Sequence, residues 1–295
     1  MSEHDETTEC GGHSRRGLGD FLRSLLSGIP WSEKAEDDES IRLDAPRGGT
    51  LRIDNANGKT RVLGEDRDDI QVEMKKVARA ESEDEAAALL EDIRLVTRED
   101  DAVLLVEFDI PGRWNRKGRV DIELRVPRKL RVEVLAANGR ICLEDLCGAI
   151  RAKSSNGPIR ITNVVGDISV ATSNAKVKTD STCGRLTARC SNGKIQLDNH
   201  SGSVDASTSN GTINCELSAL GEGGILLATS NGRISLELPE DVDGDVDIRV
   251  DNGVIRTGRE FDGAATERSG RVKGTLGRGG IPIKLRASNG TVSIR

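Results

Sequence analysis

SSNGPIRI at 154–161 returns as TSNAKVKT at 172–179, CSNGKIQL at 190–197 and TSNGTINC at 208–215. The interval is 18 residues each time, and Asn138-Gly139 lies one interval earlier. TSNGRISL (229–236), Asn252-Gly253 and ASNGTVSI (287–294) carry the motif onward at longer intervals. A period of about 20 residues marks a chain coiled on itself rung by rung, each rung touching only its neighbours. Asn and Gly tolerate the left-handed backbone of tight turns, so they mark one corner of each rung. A second glycine, at 148, 166, 184 and 202, marks the other.

Between corners the residues alternate with period two, as in a strand with one face buried. Ile141, Ile159, Val177, Ile195, Ile213, Ile234, Ile255 and Val292 recur three positions after the Asn. Leu143, Ile161, Thr179, Leu197, Cys215, Leu236, Thr257 and Ile294 follow two further on. The other strand supplies Ile150, Ile168, Leu186 and Val204, then Ala152, Val170, Ala188 and Ala206. These columns predict an all-β fold, a β-solenoid with two short strands per 18–21-residue rung. The crossover rule favours a right-handed coil. The competing reading is a run of antiparallel hairpins, the commonest short-range meaning of Asn-Gly, which explains the alternation but not the columns.

The SNG motifs resemble a bacterial family called the "putative-adhesin" β-strand repeat, a domain of unknown function. The resemblance extends upstream through ESEDEAAALLEDI and IELRVPRKLRVEV and covers about residues 41 to 295. It implies a solenoid and surface adhesion, with a link to bacterial envelope stress, and it names no catalytic residue.

Three regions are expected. Residues 1–40 read as a disordered tail carrying a short amphipathic helix at 17–29, with Leu18, Phe21, Leu22, Leu25, Leu26 and Ile29 on one face. Pro30 and the acidic stretch 32–40 read as the linker that ends it. Residues 41–130 read as an irregular β region with one helix, opened by a Ser82/Glu85 capping box, that caps the first rung. Residues 131–295 read as the regular coil, with the glycine-rich 267–280 bulging from one rung and TVSIR (291–295) forming an open last rung. The short helix is expected to dock on an open end of the coil, on a partner protein or on a membrane surface, because about three turns are not stable alone in water.

Composition narrows the function. Three Phe, two Trp and no Tyr give little aromatic area for stacking sugars or bases. The net charge of −6 argues against a general nucleic-acid binder. No 18-residue apolar run predicts a transmembrane helix, and the acidic start MSEHDETTECGGHSRRG lacks the apolar core of a secretory signal. The expected location is therefore the cytoplasm or the inner face of the membrane, with the cell surface as the alternative.

Candidate chemistry is sparse. His4 and His13 lie in the tail, and His200 reads as an exposed corner histidine. Cys190 and Cys215 fall on inward columns, Cys142 should point outward, and Cys147 and Cys183 share one corner column two rungs apart, too far for a disulfide. Cys10-x-x-His13 is at most half a metal site, and PEDVDGDVDIRVDNG (239–253) fails the spacing of a calcium loop. Glu144, Asp180, Asp198, Glu216 and Glu237 form one outward column, a solvated edge rather than a catalytic pair. No catalytic, cofactor-binding or metal residue is expected. Beside the acids runs a basic set, Arg140, Arg160, Lys176, Lys178, Lys194, Arg233 and Arg256. It reads either as charge compensation across rungs or as a track for an anionic polymer. The expectation is a non-enzymatic interaction scaffold whose partner is a protein or an anionic polymer. The alternatives are an exported adhesin and a carbohydrate-active enzyme.

Overall fold

The repeating corners stack strands side by side in parallel. A computed structural model describes residues 33–100, 102–110, 118–267 and 270–295. The helix expected at 17–29, and Cys10, His4 and His13, lie outside the described residues. The regular rungs run β8 (Arg131–Asn138), β9 (Ile141–Cys147), β10 (Ile150–Ser154), β11 (Ile159–Val165), β12 (Ile168–Thr172), β13 (Val177–Asn192) and β14 (Ile195–Glu237). Each strand pairs in parallel with the strand one period on: Ile141 faces Ile159, which faces Val177, which faces Ile195. Parallel pairing at one full period excludes the hairpin reading, because a hairpin joins antiparallel neighbours. Strands after the Asn corner build one face, here called A, and strands before it build the opposite face, B.

The aliphatic columns lie between the faces. Ile141, Val177, Ile195, Ile213, Ile234 and Val292 are fully buried, and so are Leu143, Ile161, Leu197 and Leu236. Ala152, Ala188 and Ala206 in the B-face column keep the interior thin. Fully burying an Ile or Leu contributes roughly 1.5–3 kcal/mol, so each rung supplies its own share of the core and shares one interface with the next.

Alternation does not run unbroken through each A strand. Asp145, Asn163, Ser181 and Asn199 hold positive φ of 58°, 53°, 53° and 52°. The ladder passes over them, pairing Thr162 with Asp180 and then Val164 with Thr182. One left-handed residue resets the side-chain parity, so Leu146, Val164, Thr182 and His200 turn inward. His200 is 0% exposed, not the solvent-facing corner residue that simple alternation gives.

The glycines are required mainly by space. A Cβ on Gly157 would lie 1.6 Å from the carbonyl oxygen of Gly139, and one on Gly211 would lie 1.9 Å from that of Gly193. The corner is loosest above Ala175, where the corresponding distance from Gly193 is 2.3 Å. Just before the corner, the Ser154 hydroxyl accepts from Gly157 N at 2.9 Å, and the Thr172 hydroxyl donates to Gly157 O at 3.4 Å. Side chains from the B face thus satisfy turn backbone that lies inside the coil.

Both ends depart from the expected order. Residues 33–40, expected as a linker, belong to strand β1 (Glu33–Asp44), which pairs antiparallel with β4 (Asp69–Ala80). The coil also starts before 131. β2 (Thr50–Asn57) and β3 (Thr60–Glu65) form an earlier rung, with Leu51 against Val132 and Val62 against Leu143. Asn57-Gly58 is its corner, 81 residues before Asn138 and so off the grid. Outside it lie β6 (Val103–Asp109) on β2 and β7 (Gly118–Pro127) on β3, both parallel. Helix α1 (Glu83–Asp92) links β4 to β5 (Arg94–Asp100). It is capped by Ser82, whose hydroxyl accepts from Glu85 N at 3.2 Å, and it buries Ala86 and Leu89.

At the other end, β18 (Pro282–Ile294) is not an open last rung. It lies between β14 and β15 (Gly244–Thr257), parallel to both, with Asn289 aligned to Asn231 on one side and to Asn252 on the other. The expected bulge at 267–280 is largely a hairpin of β16 (Asp262–Glu267) and β17 (Arg271–Leu276), and β17 caps the B half of β15. The A half of β15 is left at the edge, with Val254 51% exposed.

Candidate functional site

The corner asparagines set the geometry of the A face. Asn138 Nδ2 donates to Asn57 Oδ1 at 2.9 Å, and Asn156, Asn174, Asn192, Asn210, Asn231, Asn289 and Asn252 repeat the bond in spatial order at 2.9–3.1 Å. This continuous ladder locks rung register, so the side chains that follow it stand in columns about 4.8 Å apart.

Two positions beyond the ladder stand Arg140, Lys176, Lys194 and Arg233. Four positions beyond stand Arg160, Lys178 and Arg256. Arg160 is directly opposite Lys178. The structure therefore brings Arg160, Lys176, Lys178 and Lys194 together on adjacent rungs. Arg233 lies further along the same band, and Arg256 lies at its far edge.

Charge compensation accounts for little of this band. Lys178 Nζ lies 3.1 Å from Asp198 Oδ2. Among the described residues, Lys178 is the one cation of the seven that forms an ion pair. Burial and the neighbouring Lys194 and Lys178 charges push the Lys176 ammonium below its ordinary pKa, with Asp198 as the opposing charge. The acids stand apart. Glu144 is held by Arg61 at 3.0 Å, Asp198 by Lys178 and by Gln196 Nε2 at 2.8 Å, and Asp180 accepts from Ser181. The A face is thus banded, basic beside the asparagine ladder and acidic two positions further out. Arg61, on the rung that the period misses, extends the cations toward a depression of about 450 Å³ lined by Lys59, Lys75, Glu73 and Asp121.

The remaining candidates resolve one by one. Cys190 and Cys215 are buried as expected, and burial pushes the Cys215 thiol up to about 12. Cys142 stands on the outer side between Ile141 and Leu143 but is only 6% exposed, and burial raises its thiol as well. Cys147 and Cys183 are exposed free thiols with Val165 between them in register. Asp243 is engaged by Arg278, whose backbone N–H reaches Oδ1 at 2.7 Å and whose side chain reaches Oδ2 at 2.8 Å. Those bonds hold its carboxyl below the ordinary value. Asp245 receives Gly280 N at 3.0 Å, and Asp247 pairs with Arg271 at 2.8 Å. Among the described residues no cluster of three His, Cys, Asp or Glu side chains is placed to hold a metal, and no helix is long and apolar enough to cross a membrane.

His200 is the buried group that sequence reasoning misplaced. Its Nδ1 is 2.9 Å from Thr182 Oγ1, and its Nε2 has no hydrogen-bond partner among the described residues. Desolvation lowers its pKa, opposed by the backbone of Ser203, Gly184 and Thr182. A histidine depressed in the folded state binds fewer protons than the same group unfolded, so stability falls as pH drops below the ordinary value of about 6.5. Replacing both partners, His200→Leu with Thr182→Val, is expected to flatten that part of the melting-temperature profile. At pH 7.5 the same change should shift stability by less than about 1 kcal/mol, because both polar groups leave together.

A family model matches residues 49–295, from the first turn of the coil to its last strand. The chain belongs to the Toastrack DUF4097 family. Solved structures similar to this Toastrack chain include a "putative adhesin" from Parabacteroides merdae, 13% identical over 88% of this chain and 96% of that one, with a TM-score of 0.44. A "putative adhesin" from Bacteroides fragilis is 10% identical over 89% and 97%, with a TM-score of 0.41. A "putative cell adhesion protein" from Clostridium sporogenes is 13% identical over 88% and 99%, with a TM-score of 0.29. No curated protein matches the Toastrack sequence.

Proposed function

We propose that this Toastrack chain is a non-catalytic binding scaffold whose A face holds a linear anionic polymer of the bacterial envelope along the asparagine ladder. The observation that carries this reading is the unpaired basic band: Arg140, Arg160, Lys176, Lys194, Arg233 and Arg256 face outward without an ion-pair partner among the described residues, while Lys178 alone is paired. Like charges crowded on a rigid sheet raise its potential, and a polyanion relieves that repulsion with every repeat it lays down. Rung spacing of about 4.8 Å, or about 10 Å over two rungs, suits a flexible chain of phosphate or sulfate groups. The scarcity of aromatic side chains favours charge over stacking as the source of affinity. The acids are engaged or spaced along one column, and the histidine within the described residues is buried, which supports a binding role over a hydrolytic one.

The test is retention on immobilised heparin and on teichoic acid across a salt gradient. Wild type is expected to bind at low salt and to elute early as screening shortens the reach of the band. Arg160→Gln, Lys176→Gln and Lys194→Gln together should abolish retention while leaving the melting temperature close to that of wild type, since none of the three forms an ion pair among the described residues. Absence of wild-type retention at low salt on both matrices overturns the proposal.

A further inference from the structure

We propose that the position of β18 is a strand-binding slot, and that it accepts residues 282–295 of a second copy of this chain in the same register. β14 and β15 both precede β18 in sequence, yet they do not pair with each other. Each pairs with β18, over 225–236 on one side and 245–257 on the other. The chain leaves β14 at Glu237, passes over the slot through 238–243 and forms β15 two strand positions away. Without β18 two parallel sheet edges would face each other across a gap of about 10 Å, each with unpaired backbone groups.

The slot is selective. Ile283, Leu285, Ala287, Val292 and Ile294 are buried within it, so it requires an apolar residue at alternate positions on each side of the corner. Its corner requires an asparagine, because Asn289 donates to Asn231 and accepts from Asn252. The next residue must be glycine. A Cβ on Gly290 would lie 1.7 Å from Gly232 O, and one on Gly253 would lie 1.7 Å from Gly290 O. The sequence 282–295 meets all three demands, and another copy carries the same segment. The strand reaches the slot through 277–281, where Gly277, Gly279 and Gly280 hold φ of 55°, 74° and 100°. Asp243 and Asp245 hold this connection through Arg278 and Gly280 N, so redirecting the strand breaks those exposed hydrogen bonds, while the three glycines let the backbone turn without steric cost. Arg259, just past β15, donates to Leu238 O and Pro239 O, just past β14, at 2.7 Å each, a contact that does not involve β18. The occupant in cis and in trans makes the same contacts, so the balance between them is set by concentration and by the connection.

The test uses full-length chains with Cys147→Ser and Cys183→Ser, which removes the exposed thiols within the described residues. Ser235 and Ser293 are opposite each other in parallel register, at a spacing that permits a disulfide. One chain carries Ser235→Cys alone and a second carries Ser293→Cys alone. Mixed, incubated and oxidised, they are expected to give a covalent heterodimer that neither forms by itself. The heterodimer-to-monomer ratio should rise about tenfold for a tenfold rise in chain concentration, by mass action. A chain carrying both substitutions should close its disulfide within the monomer at low concentration, which shows that fold and register are kept. Ready closure in the double variant with no heterodimer from the single variants overturns the proposal. Failure of the double variant to close also overturns it, because the register would then be wrong.

Discussion

Ile195→Asp is expected to abolish the cooperative native state or to leave it several kcal/mol weaker, while Gln196→Lys one residue later leaves stability within about 0.5 kcal/mol. Ile195 is fully buried, stacked between Val177 and the next rung, with no charged group to pair a carboxylate in its column. A carboxylate there must either ionise without solvent or fold protonated, and both alternatives add to the loss of an aliphatic side chain. Gln196 faces out beside Asp198, to which it donates at 2.8 Å, and a lysine keeps a donor next to that acid. Urea unfolding of both variants reads the difference. Equal midpoints would refute the inward and outward assignment of the whole column.

The corner glycines give the second large effect. Gly211→Val places a branched side chain where even a Cβ would lie 1.9 Å from Gly193 O and 3.2 Å from Thr208 Oγ1. The obstacle is backbone of the neighbouring rung, which cannot rotate away as a flexible side chain would. Relief requires opening the coil at that corner and stretching the amide bond from Asn210 to Asn192. A loss of about 3 kcal/mol is expected, at the upper end of overpacking effects. Ala175→Gly, at the one corner that already carries a Cβ, should change stability by less than about 1 kcal/mol. Thermal unfolding of the pair separates a steric requirement from a merely conformational one.

The aliphatic columns and the corner asparagines were legible because they repeat at one period, and the period alone selects a solenoid. What failed was legible only in part. The left-handed column Asp145, Asn163, Ser181, Asn199 is Asn or Asp at three of its four positions, the residues that tolerate positive φ best after glycine, and it stands in the sequence at the same 18-residue interval. Reading it as a parity reset would have placed His200 and Thr182 inside. Asn57-Gly58 is also plain in the sequence, but an 81-residue excursion separates it from its spatial neighbour. The order at the far end could not be read at all. Asn231, Asn252 and Asn289 have equivalent local sequences, and only tertiary pairing decides that the last of them lies between the other two. For the basic band, composition gave the cations and their columns. Whether they were neutralised depended on side-chain distances, and among the described residues those bring only Lys178 within reach of an acid.

The asparagine ladder has a direction. In spatial order, every amide from Asn138 to Asn252 donates its N–H toward the β3 side, and every amide from Asn57 to Asn289 accepts from the β15 side. The amide dipoles therefore add head to tail along the coil, as peptide dipoles do in a helix, and each bond polarises the next. Turning one amide around in the middle would set N–H against N–H on one side and oxygen against oxygen on the other, so the row can reverse only as a whole. A single Asn→Ala change near the centre, at Asn174, would cut one polarised chain into two shorter ones. Its effect should reach protection from amide exchange at corners several rungs away, a distance over which packing alone carries little.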